Sequence, residues 1–537
     1  MNLLQIRDEA WAASGMAHDR IRKEWDIYHN MEYGENDRLL GKIAPLASRS
    51  LNPQIQKGIL RLVSPFMEQA SRMEIQPDRS DELESDMPFI EDLQNWNTMM
   101  EEADNETETL KTLILHNLVS GNAFAKTYFD PRTQIVRSEA VHPLSIAVDG
   151  GASRVDLSDA MVVCQKYWQD EDYLRRMYDW RPRGSGSGSH PQRYGGATHR
   201  LDELWIRREL AEDCDDFSKE KIEQSDSQMF RAVLIDDELV SATPTPFWWK
   251  DFPYAMWRNF TVSFDEQKAQ DLFGIGYGSL LEPQQKVVDH FLAALVKLAD
   301  KIPVGQMIAM KGVLDRQQQH NMDGQVIELT DVATSIKDIE KLPLDQIPPV
   351  FAEIIQYITQ VMQEMMPSLS EVFTGESPGS GSSGRAINSL QWAAFTQLSA
   401  NLKAMNEFRR RRVVQRLTGI QQTARKPLSS HIWRGKLDLP NYFPEDARYI
   451  GFNVVAADTS SMPQSPQAKL LIAQTFAGLG YIMPLDALLK FTGFDKGYGL
   501  TPDMFQQVMQ VPPGSAPGGA APASPADVVS GAESPLP

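Results

Sequence analysis

From Arg385 to about Arg425 the chain has no proline, and only Gly419 interrupts a pattern that reads as one continuous helix. At 1.5 Å per residue such a helix is about 60 Å long, several times the length usual in a globular domain. Helices in proteins owe most of their stability to packing rather than to propensity. A rod of this length therefore needs neighbours along most of it, and the rest of the chain is expected to be arranged beside it. The segment that feeds into it, Ser368–Gly384 (SLSEVFTGESPGSGSSG), is rich in glycine and serine and cannot hold one conformation cheaply.

Ahead of that loop, two amphipathic segments flank a compact insert. Tyr277–Lys301 places Val288, Phe291, Leu292, Leu295 and Leu298 on one stripe, with Lys286, Asp289, Ala293, Lys297 and Asp300 expected to face away. Val350–Met366 gathers Phe351, Ile354, Ile355, Ile358, Val361 and Met365 on one side. Glu353, Gln356, Gln360, Gln363 and Glu364 lie on or near the other. Pro303 and Pro367 close the two helices. The insert, Val304–Pro349, has a strand-like Gly305–Met310 and a turn at Asn321–Gly324 leading into Gln325–Leu329.

The N-terminal part begins with helical patterns at Asp19–Tyr28 and Gln54–Met67, then an acidic connector, Gln76–Ser85. A single helix is expected from Ile90 to about Ser120, ended by Gly121. From Ala123 to about Pro253 the grammar is that of short strands. Phe124–Phe129 and Ile135–Val141 read as a hairpin, Ala160–Trp168 and Leu204–Arg208 as strands, and Phe230–Val240 as a hairpin turning at Asp236–Asp237. Arg181–Arg200 (RPRGSGSGSHPQRYGGATHR) reads as a flexible surface loop. Beyond the long helix, Trp433–Val455 is strand-like, Ser465–Gly478 and Pro484–Thr492 are helical, and Pro512–Pro537 is a Pro/Ala/Gly tail expected to be disordered.

The 537 residues suffice for about three or four domains. Lys and Arg total 53 against 72 Asp and Glu, a net charge of −19, which argues against a chain that grips nucleic acid through a basic face. A polyanion passing close to such a surface would slide without sticking. The two cysteines, Cys164 and Cys214, make no disulfide framework and suit a reducing compartment. No apolar run, Phe291–Leu298 included, approaches a membrane span, and the opening MNLLQIRDEAW does not read as a secretory signal, so a soluble protein is expected.

Catalytic patterns are sparse. Gly375–Gly379 (GESPG) matches the G-x-S-x-G elbow of hydrolases around Ser377, but a helix rather than a strand precedes it and Pro378 follows the serine. Gly274-Ile-Gly276-Tyr-Gly278-Ser stops one position short of G-x-G-x-x-G and reads as a flexible entry to a helix. There is no G-x-x-x-x-G-K-[ST], no H-E-x-x-H and no paired C-x-x-C; His116, His142, His190 and His199 read as surface or core residues. Arg409–Arg412 point to all sides of a helix and read as solvated or salt-bridged. No enzyme, metal or cofactor is expected from these residues.

Three stretches carry a resemblance. In Leu115–Asp149 a helix ends at glycine and a hairpin leads to a His-Pro segment and an aspartate. Gly276–Pro367 runs helix, small insert, helix. Phe373-Thr-Gly375 leads through the Gly/Ser loop into Arg385-Ala-Ile and the long helix. In this order the chain resembles the portal protein, or head-to-tail connector, of tailed double-stranded DNA bacteriophages, over about Asn30 to Ala457. The insert at Gly184–Gly196 and the tail after Pro512 match no family element.

The resemblance implies an α+β, mainly helical protomer in a cyclic ring, by family analogy a dodecamer. Residues 1–275 would be N-terminal helices and α/β wing, 276–302 and 350–367 the two stem helices, 303–349 a small α/β clip, and 368–384 the tunnel loop. Residues 385–461 would be the long wing helix with return strands, 462–511 a helical crown, and 512–537 the tail. It further implies channel-lining roles for Lys286, Asp289, Lys297, Asp300, Glu353, Gln356, Gln360, Glu364, Glu371, Glu376 and Arg385. Lys311, Asp315, Arg316, Asp323 and Glu328 of the clip would dock the terminase or an adaptor. The implied partners are further copies of the chain, major capsid and scaffolding proteins, the terminase large subunit, tail adaptors and the duplex DNA in the channel, with no membrane. The place is the capsid portal vertex of the virion, reached through the host cytoplasm. A serine hydrolase using Ser377 and a non-viral helical adaptor remain the alternatives at this point.

Overall fold

The computed structural model describes residues 1–29, 53–77, 90–130, 135–182, 198–245, 251–261, 272–301, 307–309, 339–341, 350–366, 384–423 and 451–456, apart from 69, 72, 91, 92, 99 and 103 within those runs. Side chains are described for all of these except 135, 296–301, 307–309, 339–341, 351 and 384–397. The chain divides into two compact units, Met1–Ser461 and Met462–Pro537, and every described residue belongs to the first. The crown and tail expectations lie outside the described residues, as do 183–197 of the loop expected at Arg181–Arg200 and 368–383 of the loop expected at 368–384. The remaining ends need correction, because Thr198–Arg200 begin a strand and Gly384 already lies in the long helix.

The first helix, α1 (Leu3–Tyr28), is longer than the periodicity at Asp19–Tyr28 suggests. Asn2 caps it, its side chain accepting from the Gln5 N–H at 2.8 Å. Leu3, Ile6, Ala10, Ala17 and Ile21 are buried along it. This face lies on a five-stranded antiparallel sheet, ordered β4 (Ile146–Val148), β5 (Val162–Asp170), β6 (Thr198–Arg207), β7 (Met229–Ile235) and β8 (Glu238–Pro244). Ser14 exchanges hydrogen bonds with the backbone of Val148, and His18 Nε2 meets the Ile146 carbonyl at 2.7 Å. The β7–β8 hairpin turns at Asp236 and Asp237, both at positive φ (46° and 68°), as a tight two-residue hairpin turn requires.

A second sheet orders β3 (Ile135–Val141), β2 (Asn122–Asp130) and β9 (Tyr254–Arg258), all antiparallel. Helix α2 (Gln54–Glu68) buries Ile55, Ile59, Leu62 and Phe66, and α3 (Glu106–Ser120) runs into β2 through Gly121 at φ 71°. The single helix expected from Ile90 to Ser120 is broken. Asp104 and Asn105 form a turn, Asn105 sits at φ 51°, and α3 begins afresh at Glu106. The acidic connector also needs correction, because Gln76 and Pro77 end strand β1 (Met73–Pro77). That strand pairs antiparallel with β12 (Phe452–Ala456), the described part of the strand-like stretch after the long helix.

Helices α4 (Tyr277–Lys301), α5 (Val350–Met365) and α6 (Gly384–Thr423, 40 residues) fall where their periodicities place them. The long helix is supported along its described side chains by two successive cores. Leu398, Met405 and Phe408 join the cluster of α2, α3, α4 and α5, and Val413, Leu417 and Ile420 pack with β1 and β12. Between α4 and α5 the short strands β10 (Met307–Ala309) and β11 (Ile339–Lys341) pair antiparallel. The fold is thus a mixed α+β one. Among the described residues no helix is long and apolar enough to cross a membrane.

Candidate functional site

The feature with most functional content is the pair α4–α5. Gln284, early in α4, donates toward the Met365 sulfur, late in α5, at 3.6 Å, so the two helices run antiparallel. Leu281 and Val288 of α4 and Met362 and Met366 at the end of α5 are buried in one cluster. The outer side of α5 carries Glu353, Gln356, Gln360 and Glu364, all exposed, with Gln360 donating to Glu364 at 3.4 Å. Tyr357 stands in the same row at 68 % exposure.

Helix α4 presents a different surface. Lys286 is half-buried and pairs with Glu282 at 3.2 Å, and Glu282 also meets Lys23 of α1 at 2.8 Å. Asp289 does not face away as expected: it is 1 % exposed and accepts from Gln285 Nε2 at 3.1 Å. Ala293 is buried as well. The apolar stripe alone cannot reveal this, because α4 is covered on more than one side, by α1, α2 and α3 as well as by α5. A polar residue one step off the stripe then falls inside. Lys297, Asp300 and Arg385 lie on helices, but their side chains are outside the described residues, as are Glu371, Glu376, Ser377, Lys311, Asp315, Arg316, Asp323 and Glu328.

The entry to α4 is the reverse of flexible. A Cβ on Gly276 would lie 1.9 Å from the Val119 carbonyl oxygen, and one on Gly274 would lie 2.8 Å from the Gly121 oxygen. The Asn122 side chain holds Gly274 from both sides, accepting its N–H at 2.8 Å and donating to its carbonyl at 3.2 Å. The glycines are there for close backbone approach. That is a reading which the motif spacing leaves open and only the crossing of two chain segments settles.

Two buried charge networks hold the sheets and the long helix around this root. In the first, Glu203 accepts from Lys126 Nζ (2.6 Å), Arg231 Nε (2.7 Å), Trp205 Nε1 (2.9 Å) and the Tyr167 hydroxyl (3.1 Å). Burial works to raise this carboxyl, but Lys126 and Arg231 outweigh it and bring it down to about 2. The network joins β2 of the smaller sheet to β5, β6 and β7 of the larger.

In the second, Arg412 grips Glu106 with both terminal nitrogens (2.7 and 2.9 Å), and Arg416 meets Asp104 at 3.4 Å. Burial acts to raise the Glu106 carboxyl, but Arg412 and Arg416 leave it below its ordinary value. The run Arg409–Arg412 is therefore salt-bridged but not solvated throughout: Arg410 and Arg411 share Glu407 nearer the surface, Arg409 donates to the Ser71 carbonyl, and Arg412 is 2 % exposed. The charged and polar partners at 97–106 supply what the arginine run by itself does not reveal.

His116 is buried and pushed down to about 3, by burial first and then by His142. His199 is buried against Asp236 at 2.5 Å, and His190 lies outside the described residues. Among the described residues no group of three or more His, Cys, Asp or Glu is placed to hold a metal ion. An open cleft of about 590 Å³ lies between Asp156, Phe252 and Tyr254 on one side and Glu407, Arg410, Arg411 and Gln415 of α6 on the other.

The described residues thus bring together a helix pair with a short antiparallel strand pairing between its helices in sequence, a long helix packed on antiparallel strands, and an exposed acid-and-amide row on one helix. The phage P22-like portal protein family matches residues 120–427, from the end of α3 to just past the long helix. This is more than half of the chain, and the chain belongs to that family, a structural rather than catalytic one of bacteriophage capsid connectors. Among curated proteins the chain finds no match.

Proposed function

We propose that the chain forms the portal ring at one capsid vertex, through which genomic DNA is packaged and later ejected. The observation that carries this reading is the family match over 120–427, which takes in the helix pair, its insert and the long helix as one series. In this reading α4 and α5 are the stem, 303–349 the clip, 368–384 the tunnel loop and 462–511 the crown. One repeated head-to-tail contact closes the ring, proposed as a dodecamer.

The exposed row Glu353, Gln356, Gln360 and Glu364 turns to the channel, where carboxylates and amides repel phosphates or touch them weakly, so that DNA moves without being held. Lys286, Lys297, Asp300, Glu371, Glu376 and Arg385 are proposed beside them; buried Asp289 is not. The clip, through Lys311, Asp315, Arg316, Asp323 and Glu328, docks the terminase large subunit and then tail adaptors. Capsid and scaffolding proteins meet the ring during assembly in the host cytoplasm.

Negative-stain electron microscopy of the purified protein tests the reading. End-on class averages showing rings with a channel wide enough for duplex DNA support it. A chain that never forms rings under any assembly condition sinks it.

A further inference from the structure

Glu24 of α1 is completely buried and reaches the first turn of α4. Its Oε1 accepts from the Gly276 N–H at 3.0 Å and from the Ser279 hydroxyl at 2.5 Å, so a residue of one helix caps the start of another. Its Oε2 is equally buried and has no hydrogen-bond partner. A buried carboxylate oxygen without a donor is costly when charged, and here it sits at the joint between two parts of the molecule. Farther back, α1 is tied to the large sheet by Ser14 on Val148 and His18 on Ile146. Farther forward, Lys23 reaches Glu282 on α4. Helix α1 is therefore a strut from the sheet to the root of the helix pair, and Glu24 is its fully buried carboxyl contact with that root.

We propose that Glu24 is a proton-operated latch: when neutral it keeps α1 seated on the first turn of α4, and when ionised it favours lifting of α1 from that turn. The latch sets how firmly the sheet and the helix pair move as one body. The glycine pinch at Gly121, Gly274 and Gly276 stays closed in both states, because no side chain there titrates.

The groups around Glu24 agree with this. Arg20, one turn back on α1, donates to the Phe273 and Gly274 carbonyls at 3.0 Å each, and its charge favours the ionised carboxylate only in part. From α4 come Tyr277, whose hydroxyl is itself pushed up to about 12 by burial, and the Glu282 that Lys23 occupies. Toward α3, Trp25 packs against His116 and His142, both held below their ordinary value by burial first, and His116 is pushed down to about 3, below the range in which the latch works.

Burial pushes the Glu24 carboxyl up to about 7, against the bonds from Ser279 and Gly276 and the charge of Arg20. Below its ordinary value of 4.5 the group is neutral whether α1 is seated or lifted, and pH has no effect. Between 4.5 and about 7 only the lifted state ionises, so rising pH favours lifting; above about 7 both states are ionised and the effect levels off.

Hydrogen exchange of the full-length protein, read on peptides covering 19–29 and 274–284 and corrected for intrinsic rates, tests this between pH 5.5 and 8. Opening of these peptides is expected to rise roughly thirtyfold across that range in the wild type. In Glu24→Gln, which keeps an acceptor for Gly276 but carries no proton to lose, it is expected to stay flat. Parallel pH profiles in the two proteins overturn the proposal. Ser279→Ala, which retains the glutamate and removes one donor to its charged form, is expected to move the midpoint to higher pH. An unmoved midpoint overturns the proposal even if the glutamine variant fails to fold.

Discussion

Glu203 in the large sheet and Glu24 at the root of the helix pair are both buried glutamates, and the fold treats them in opposite ways. Glu203 receives two cations, an indole N–H and a phenol, and burial is more than offset. Glu24 receives one backbone N–H and one hydroxyl on a single oxygen, with the other oxygen left bare, and burial prevails. One carboxyl sits near 2 and the other near 7. The lesson is that burial alone does not make a charged residue either a rivet or a switch; the count of donors facing each oxygen does. The rivet lies where two sheets must stay joined, and the switch where a helix pair meets its support.

The harshest way to break this contrast is Glu203→Gln. It leaves Lys126 and Arg231 facing each other without an anion, and a loss of about 3–5 kcal/mol is expected, read as a large fall in the thermal midpoint or in exchange protection of β5–β7. Gly276→Ala attacks the other side, since its Cβ would meet the backbone oxygen of Val119 at 1.9 Å and neither segment can yield cheaply. A cost of about 1–3 kcal/mol is expected, and exchange at 119–122 and 274–279 rather than in the large sheet should report it.

A pH series sharpens the comparison. The Glu203 contribution, from a carboxyl lowered by its partners, is fully present above the ordinary carboxylate range and is lost as pH falls from about 4.5 toward 2. The Glu24 contact moves the other way, tightening as pH falls from about 7 toward 4.5. Exchange measured on the two regions in the same samples should therefore show opposite slopes in separate pH windows. The smallest effect is expected from Glu353→Gln with Glu364→Gln, which should leave stability within about 0.5 kcal/mol because both side chains are exposed. Their consequence should appear only in DNA packaging, as slower or less complete filling of heads.

Much of the architecture was legible from periodicity. The stripe in Tyr277–Lys301, the apolar face of Val350–Met365 and the proline-free run into the long helix each specify a helix through local spacing, and the two hairpins announce themselves by alternation around turn residues. The exposed row on α5 was legible for the same reason, as the complement of an apolar face. Other features were not. Asp289 lies one step off the apolar stripe and is buried because α4 has neighbours on several sides. The break at Asn105 carries no proline or glycine, and its left-handed backbone is held in a turn that positions Asp104 to accept the Ser138 N–H at 2.9 Å and to meet Arg416.

Local spacing thus dictates which segments are helices and strands and which side of an isolated helix is apolar, because those follow from a repeat of 3.6 or 2 residues along one stretch of chain. Three things depend on partners distant in sequence. Met73–Pro77 becomes a strand by pairing with Phe452–Ala456, Arg412 is buried because Glu106 awaits it, and Gly276 is tight because Val119 crosses it. Glu24 belongs with them: nothing in its neighbours on α1 distinguishes it from Asp19 or Asp26, and its burial and its bare oxygen exist only because the first turn of α4 is folded against it.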